Sequence, residues 1–286
     1  MKPFTFPFVL AADAAIDLQL HTIYSDGTWT PAQLIDYLIS EQFALAAITD
    51  HDRPDTAAEL LQLAAEKQFP LLTAVEISAS WRGEPNDVLC YGFDPHQNAL
   101  QELAQDIAHR QRENTREVCE NLRKTGISFP DPRELDAILA QPSAQQPHSL
   151  VALLKKLGYG TGETSAGQLI TDAGFLWVTK DLAEVCDAVH RSGAVCLIAH
   201  PGRGDGYTSF DARLLDELRQ EVPIDGFEVY YPAHTPEQVI MYREYAQAHQ
   251  LLTSSGSDSH GPEKKPIKYR AGLSQKLLER LGIRIR

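Results

Sequence analysis

The feature that most constrains this chain is a repeated unit. A short apolar run stops abruptly in histidines and carboxylates, and an amphipathic stretch follows before the next run. Residues 17–21 alternate, with Leu18 and Leu20 on one face and Asp17, Gln19 and His21 on the other, as in a half-buried strand. Residues 43–49 are almost continuously apolar, as expected of a strand covered on both faces, and end in Thr49-Asp50-His51-Asp52. Residues 71–75 run into Glu76, and 87–93 form a fourth run beginning at Asp87. Later runs at 194–199, 224–230 and 251–255 lead to His200-Pro201-Gly202-Arg203, carry Glu228, and end in Gly256-Ser257-Asp258-Ser259-His260, respectively. Seven parallel strands are predicted, each with a polar cluster at its end. Right-handed βα units place such ends on one side of a sheet, and an α/β barrel of seven strands, or a strongly curved sheet, gathers them.

Helix signals separate the runs. Thr30-Pro31-Ala32-Gln33 and Thr235-Pro236-Glu237-Gln238 are capping boxes with proline in the first helical position. Further helices are expected at 55–68, 180–192, 211–221 and 272–282. The alternation lapses between 96 and 178, where a long charged helix at 97–125 and shorter helical pieces at 131–140 and 148–157 are predicted. This segment reads as a helical insertion, dividing the barrel into 1–95 and 179–286.

A chain of 286 residues can bury a large core. Its net charge of −13 excludes a broad basic surface for duplex nucleic acid, but not a small nucleotide or a single-strand end. No run of 18 apolar residues exists, so no membrane span or membrane partner is expected. The apolar residues 4–10 read as a lead-in to the first strand rather than a signal peptide. Cys90, Cys119, Cys186 and Cys196 lack Cys-x-x-Cys spacing and read as reduced core thiols of a cytoplasmic protein.

Collected from the strand ends and the loops beside them, the chemistry-bearing set is His21, Asp26, Asp50, His51, Glu76, Asp87, His200, Asp258 and His260. Mixed imidazole and carboxylate ligands suit manganese, zinc or iron, and a carboxylate can bridge two ions. Individually, each has an ordinary explanation: a hydrogen-bonded histidine or a helix-capping aspartate. Four ordered motifs at four strand ends, His-Thr-x-x-Ser-Asp-Gly, Thr-Asp-His, Val-Glu and Gly-Ser-Asp-x-His, favour metal ions. Neither a Gly-x-Ser-x-Gly elbow nor a Walker A loop is present.

Residues 17–27, Asp-Leu-Gln-Leu-His-Thr-Ile-Tyr-Ser-Asp-Gly, resemble the first motif of the PHP (polymerase and histidinol phosphatase) family, Asp-Leu-His-x-His-Thr-x-x-Ser-Asp-Gly. Thr49-Asp50-His51, Val75-Glu76, His200-Pro201-Gly202, Gly226-Phe227-Glu228-Val229 and Gly256-to-His260 extend the resemblance over almost the whole chain. It implies a distorted seven-stranded β/α barrel holding two or three divalent metal ions. By position, one site would use Gln19, His21, Glu76 and Asp258; a second Glu76, Asp87 and His200; a third Asp26, His51 and His260. Glu76 would bridge the first two, and Glu76, His200 and Asp258 would form the catalytic centre.

Two ligand positions depart from the family pattern. Gln19 replaces the first histidine of a His-x-His pair and offers only a neutral amide oxygen. Asp87 stands where histidine is usual. Pro147-His148-Ser149-Leu150 resembles a family segment that reaches toward substrate phosphate, with Gln146 replacing its arginine. His148 and Arg203 are therefore expected to bind substrate. The implied reaction is attack of a metal-activated hydroxide on a small phosphomonoester, with a nucleotide as the leading substrate. An alternative is a non-catalytic relative with a degraded site that binds a phosphorylated ligand. Carbon–nitrogen hydrolysis ranks low, because the usual His-x-His strand and carboxylated lysine are not shown.

Overall fold

In the computed structural model, residues 8–286 are described, so the first part of the 4–10 lead-in lies outside the described residues. Strands Ala15–Asp17, Leu45–Ala47 and Leu71–Leu72 lie parallel, with Ile16 opposite Leu45 and Ala46 opposite Leu71. Tyr269–Arg270 adds an antiparallel edge to this four-stranded sheet. The run at 43–49 is apolar up to Thr49 because both of its faces are covered. Leu45 and Ala47 join a core with Ile16, Leu18, Leu89, Tyr91, Val195 and Leu197. Ala46 and Ile48 face the other way, onto Leu34, Ile35, Leu38 and Leu60 of two helices.

A second sheet of five strands runs in the order Leu252–Ser255, Gly226–Tyr230, Val195–Ile198, Val88–Tyr91, Ala74–Ile77. Isolated parallel bridges link the two sheets, Leu20 with Ser259 and His51 with Glu76. The fold is mixed α/β, and none of its sheets is by itself a closed barrel.

The expectation of seven parallel strands is corrected at Val88–Tyr91. It runs antiparallel to both neighbours, with Ile77 and Ile198 each opposite Val88. The reason is local: no helix intervenes after Glu76. The chain instead folds through a ribbon of Ala79–Trp81 and Glu84–Pro85, turning at Arg82 and Gly83, both at positive φ. A parallel return needs a crossover, whereas a hairpin-like return is antiparallel. Asp87 thus precedes its strand instead of ending it, and the reversed direction brings it to the same end of the sheet as Glu76.

Both capping boxes form as written, ahead of helices Pro31–Ser40 and Pro236–Ala248. The chain divides into two compact units, 1–103 with 180–286, and 104–179. The second has its own core, including Val118, Leu122, Ile138, Leu150, Leu154 and Ile170. None of the described helices is long and apolar enough to cross a membrane.

Candidate metal centre

Glu76 is fully buried near the end of its strand, and side chains from two other segments lie within 3.3 Å of its carboxylate. His21 Nε2 lies 3.1 Å from Oε2, His200 Nε2 lies 3.3 Å from Oε1, and Gln19 Nε2 donates to Oε2 at 3.0 Å. Asp258 Oδ1 is 3.3 Å from His21 Nε2. His21 also stacks on His260, with ring centroids 4.1 Å apart, and on His51 at 4.7 Å. Ligand-type atoms converge in three overlapping groups: His21, Glu76 and Asp258; His51, Glu76 and Asp87; and His21, Asp26, His51 and His260. Within each group they lie within 4.8 Å of one another.

The backbone is bent to make this possible. His200 and Asp258 sit at φ of 29° and 53°, a left-handed region that non-glycine residues enter at a cost of about 1–3 kcal/mol and that clusters at functional sites. Gly256 allows the turn before Asp258 to press against the first strand. A Cβ there would lie 2.4 Å from Gln19 Cβ and 2.6 Å from Glu228 Oε1. Asp17 fixes the same junction, accepting from the backbone N–H of Ser257 at 3.0 Å and of Ile267 at 2.9 Å.

Charge is balanced inside the cluster. Burial alone would raise the Glu76 carboxyl, but His51, His200 and His21 hold it well below its usual range. Burial opposes protonation of His51, yet Glu76 and Asp26 push it up to about 9. Burial likewise disfavours the His21 imidazolium, and the Asp258 and Glu76 carboxylates outweigh it. Asp87 is raised by burial and by the Glu76 charge.

Several buried polar atoms here make no hydrogen bond: Gln19 Oε1, both ring nitrogens of His21, His51 Nδ1, Glu76 Oε1 and His200 Nδ1. Buried polar groups ordinarily find partners, and leaving one without costs free energy. Divalent cations would use these lone pairs, and the donor set of imidazole and carboxylate suits manganese, zinc or iron. The residues present therefore fit metal ions.

Asp50, expected among the ligands, is placed otherwise. Its carboxylate accepts from Thr22 N–H at 2.6 Å, Thr22 Oγ1 at 2.7 Å and Ser25 Oγ at 2.8 Å, and it joins none of the convergent groups. It organises the loop that presents Asp26. Arg203 is paired with Asp205 at 2.6 and 3.1 Å, and its guanidinium lies 4.5 Å from the Tyr207 ring centroid. His148 belongs to the second unit, exposed on helix Gln145–Lys156 with Trp177 6.0 Å away. Gln146, beside it, is buried and donates to the Gln141 carbonyl at 3.0 Å.

Sequence reasoning missed three side chains that touch the cluster. Tyr207 donates to Asp87 Oδ2 at 2.8 Å, Tyr231 donates to Asp258 Oδ2 at 3.4 Å, and Lys264 Nζ lies 3.5 Å from the same oxygen. Tyr231 directly follows strand Gly226–Tyr230, so the strand-end rule applied there would have found it. Tyr207 and Lys264 lie in loops without a pattern to mark them. Glu228, noted on its strand but not assigned to the site, is fully buried and accepts from His200 N–H at 3.2 Å.

No family model matches the chain. It is 30% identical over 253 residues to the 3',5'-nucleoside bisphosphate phosphatase of Chromobacterium violaceum, covering 87% of this chain and 88% of that one. It is 26% identical over 250 residues to a 5'-3' exoribonuclease of Haemophilus influenzae, covering 86% and 90%. A solved structure from Bifidobacterium adolescentis, of a protein assigned as a metal-dependent phosphoesterase, shares the fold. It matches with a TM-score of 0.76 and 24% identity, covering 95% of this chain and 98% of that one.

Proposed function

The chain belongs to the PHP family of metal-dependent phosphoesterases and is a hydrolase, and on that premise we propose that it hydrolyses a small nucleotide phosphomonoester. The observation that carries the reading is the convergence around Glu76 of groups from five other segments, those of His21, His51, Asp87, His200 and Asp258. Gln19, His21, Glu76 and Asp258 would hold one divalent ion, Glu76, Asp87 and His200 a second, and Asp26, His51 and His260 a third. Manganese, zinc and iron all suit this set. When bound, such ions lower the pKa of a water toward neutrality and offset charge on the phosphate.

The chain's own groups do the positioning. Tyr207 holds the Asp87 carboxylate from one side. Tyr231 and Lys264 hold Asp258 from another. Arg203, packed over the Tyr207 ring and paired with Asp205, is the proposed phosphate contact in the first unit. His148 has the same proposed role on the strength of the Pro147-His148 resemblance alone.

A nucleotide is favoured because the similar proteins named above are a nucleoside bisphosphate phosphatase and an exoribonuclease. The acidic chain, with a net charge of −13, suits a small substrate better than a long polyanion, and a single-strand end is the largest nucleic acid in keeping with it. With Leu71–Leu72 and Ala74–Ile77 counted as one strand and Tyr269–Arg270 left as an edge, we read the two bridged sheets as one distorted seven-stranded barrel, with 96–178 inserted into it in the sequence. The four free cysteines support a cytoplasmic location.

The test is phosphate release by metal-loaded protein across nucleoside bisphosphates, nucleoside monophosphates, short oligonucleotides and sugar phosphates. The expected result is highest kcat/KM on a nucleotide. Preference for sugar phosphates would overturn the substrate class, and no turnover of any phosphoester with metal bound would overturn the activity.

A further inference from the structure

We propose that Cys186, His190, Cys196 and Asp225 form a separate metal site for one thiophilic divalent ion, with zinc as the best match. Helix Leu182–Arg191 carries Cys186 and His190 four residues apart, which places them on one face. Cys196 lies near the start of strand Val195–Ile198, and Asp225 immediately precedes strand Gly226–Tyr230. The far ends of those two strands lead to His200 and Tyr231, so this cluster occupies the opposite end of the sheet and shares no residue with the Glu76 groups.

The distances suit a metal polyhedron. Cys196 Sγ is 3.2 Å from Cys186 Sγ and 3.7 Å from His190 Nε2, and His190 Nε2 is 2.9 Å from Asp225 Oδ2. Tetrahedral zinc with bond lengths of about 2.0–2.3 Å separates neighbouring ligand atoms by about 3.3–3.8 Å. The ligand atoms of His190, Cys196 and Asp225 already lie within 4.8 Å of one another, and Cys186, close to Cys196, turns its sulfur toward the other two to complete the set. The backbone already locks two of the four. Asp225 N–H donates to the Cys196 carbonyl at 3.0 Å, and Cys196 N–H donates to Asp225 Oδ2 at 2.9 Å.

Both sulfurs are fully buried, while the His190 side chain is 36% exposed and that of Asp225 26%, which opens a route for an ion from the surface. Cys186 and burial together push the Cys196 thiol well up, so a thiolate forms here only against a cation. On binding, two thiol protons leave to solvent and two sulfur–metal bonds form. Thiolates select zinc over manganese or magnesium, which distinguishes this site chemically from the imidazole and carboxylate cluster.

Cobalt(II) is the probe. The full chain, stripped with a chelator and reloaded with cobalt(II), is expected to show a near-ultraviolet thiolate-to-cobalt charge-transfer band. The Glu76 cluster contains no sulfur and contributes nothing to it. The band should persist in Glu76→Gln and be lost in Cys196→Ser and Cys186→Ser. His190→Ala, at a partly exposed helix end, should lose one metal equivalent while its far-ultraviolet circular dichroism stays unchanged. Absence of the band in the parent protein overturns the site without reference to any variant. So does a band unchanged in Cys196→Ser, or a Cys186–Cys196 disulfide in protein purified without oxygen.

Discussion

Gln19 Nε2 donates a 3.0 Å hydrogen bond to Glu76 Oε2, the oxygen that also faces His21. The amide therefore points into the cluster, on the same side of its strand as His21, while its own carbonyl oxygen has no hydrogen-bond partner. An imidazole here would add a ligand of the kind zinc prefers. Gln19→His is expected to raise metal occupancy and leave the phosphoesterase rate equal or higher. Metal stoichiometry and rate, measured beside the parent, decide it. If neither changes, Gln19 serves only to hold Glu76.

Glu76 belongs to two of the three convergent groups, so removing its charge affects both. Glu76→Gln should bind fewer ions and lose activity by about 100-fold or more. Elemental analysis and single-turnover rates are the measurements. Parent-like activity in this variant would contradict a bridging role.

The His51 imidazole is raised from 6.5 to about 9 by Glu76 and Asp26, against burial. Its protonated form is favoured in the folded, metal-free protein. That contribution is complete below about pH 6.5 and disappears as pH rises through about 9. Metal must displace the same proton, so manganese affinity should climb across this window. Calorimetric titration with manganese from pH 6.5 to 9 checks it, and a flat affinity would count against His51 as a ligand.

Gly256→Ala forces a methyl group to within 2.4 Å of Gln19 Cβ. Overpacking of this kind costs about 1–3 kcal/mol, and here it also displaces the turn leading to Asp258. A lowered Tm together with reduced metal content is expected. Reduced Tm with full metal content would place the strain elsewhere.

The sequence alone was enough for the two capping boxes, because the bonds involved span only three residues. It was enough for the doubly covered run at 43–49, because hydrophobicity on both faces leaves no polar position to break the pattern. It also pointed to His21, Glu76, His200 and Asp258, whose atoms the structure brings within a few ångströms of each other. In each case the information lies in a local pattern of residue type.

Only the structure separates the surroundings of Asp26 from those of Asp50, both expected as ligands. Each is an acidic residue in the segment following a strand, and nothing local separates them. Asp26 meets His260, more than two hundred positions away, at 3.4 Å, whereas Asp50 is taken up by Thr22 and Ser25. The direction of Val88–Tyr91 was also hidden, since an apolar run reads the same parallel or antiparallel. Tyr207 reaches Asp87 across 120 positions from a loop without periodicity. Composition and spacing determine which segments form strands and helices, because those interactions close within a few residues. Which carboxylate faces a histidine and which is used up by hydroxyls depends on contacts that exist only once the segments have been brought together.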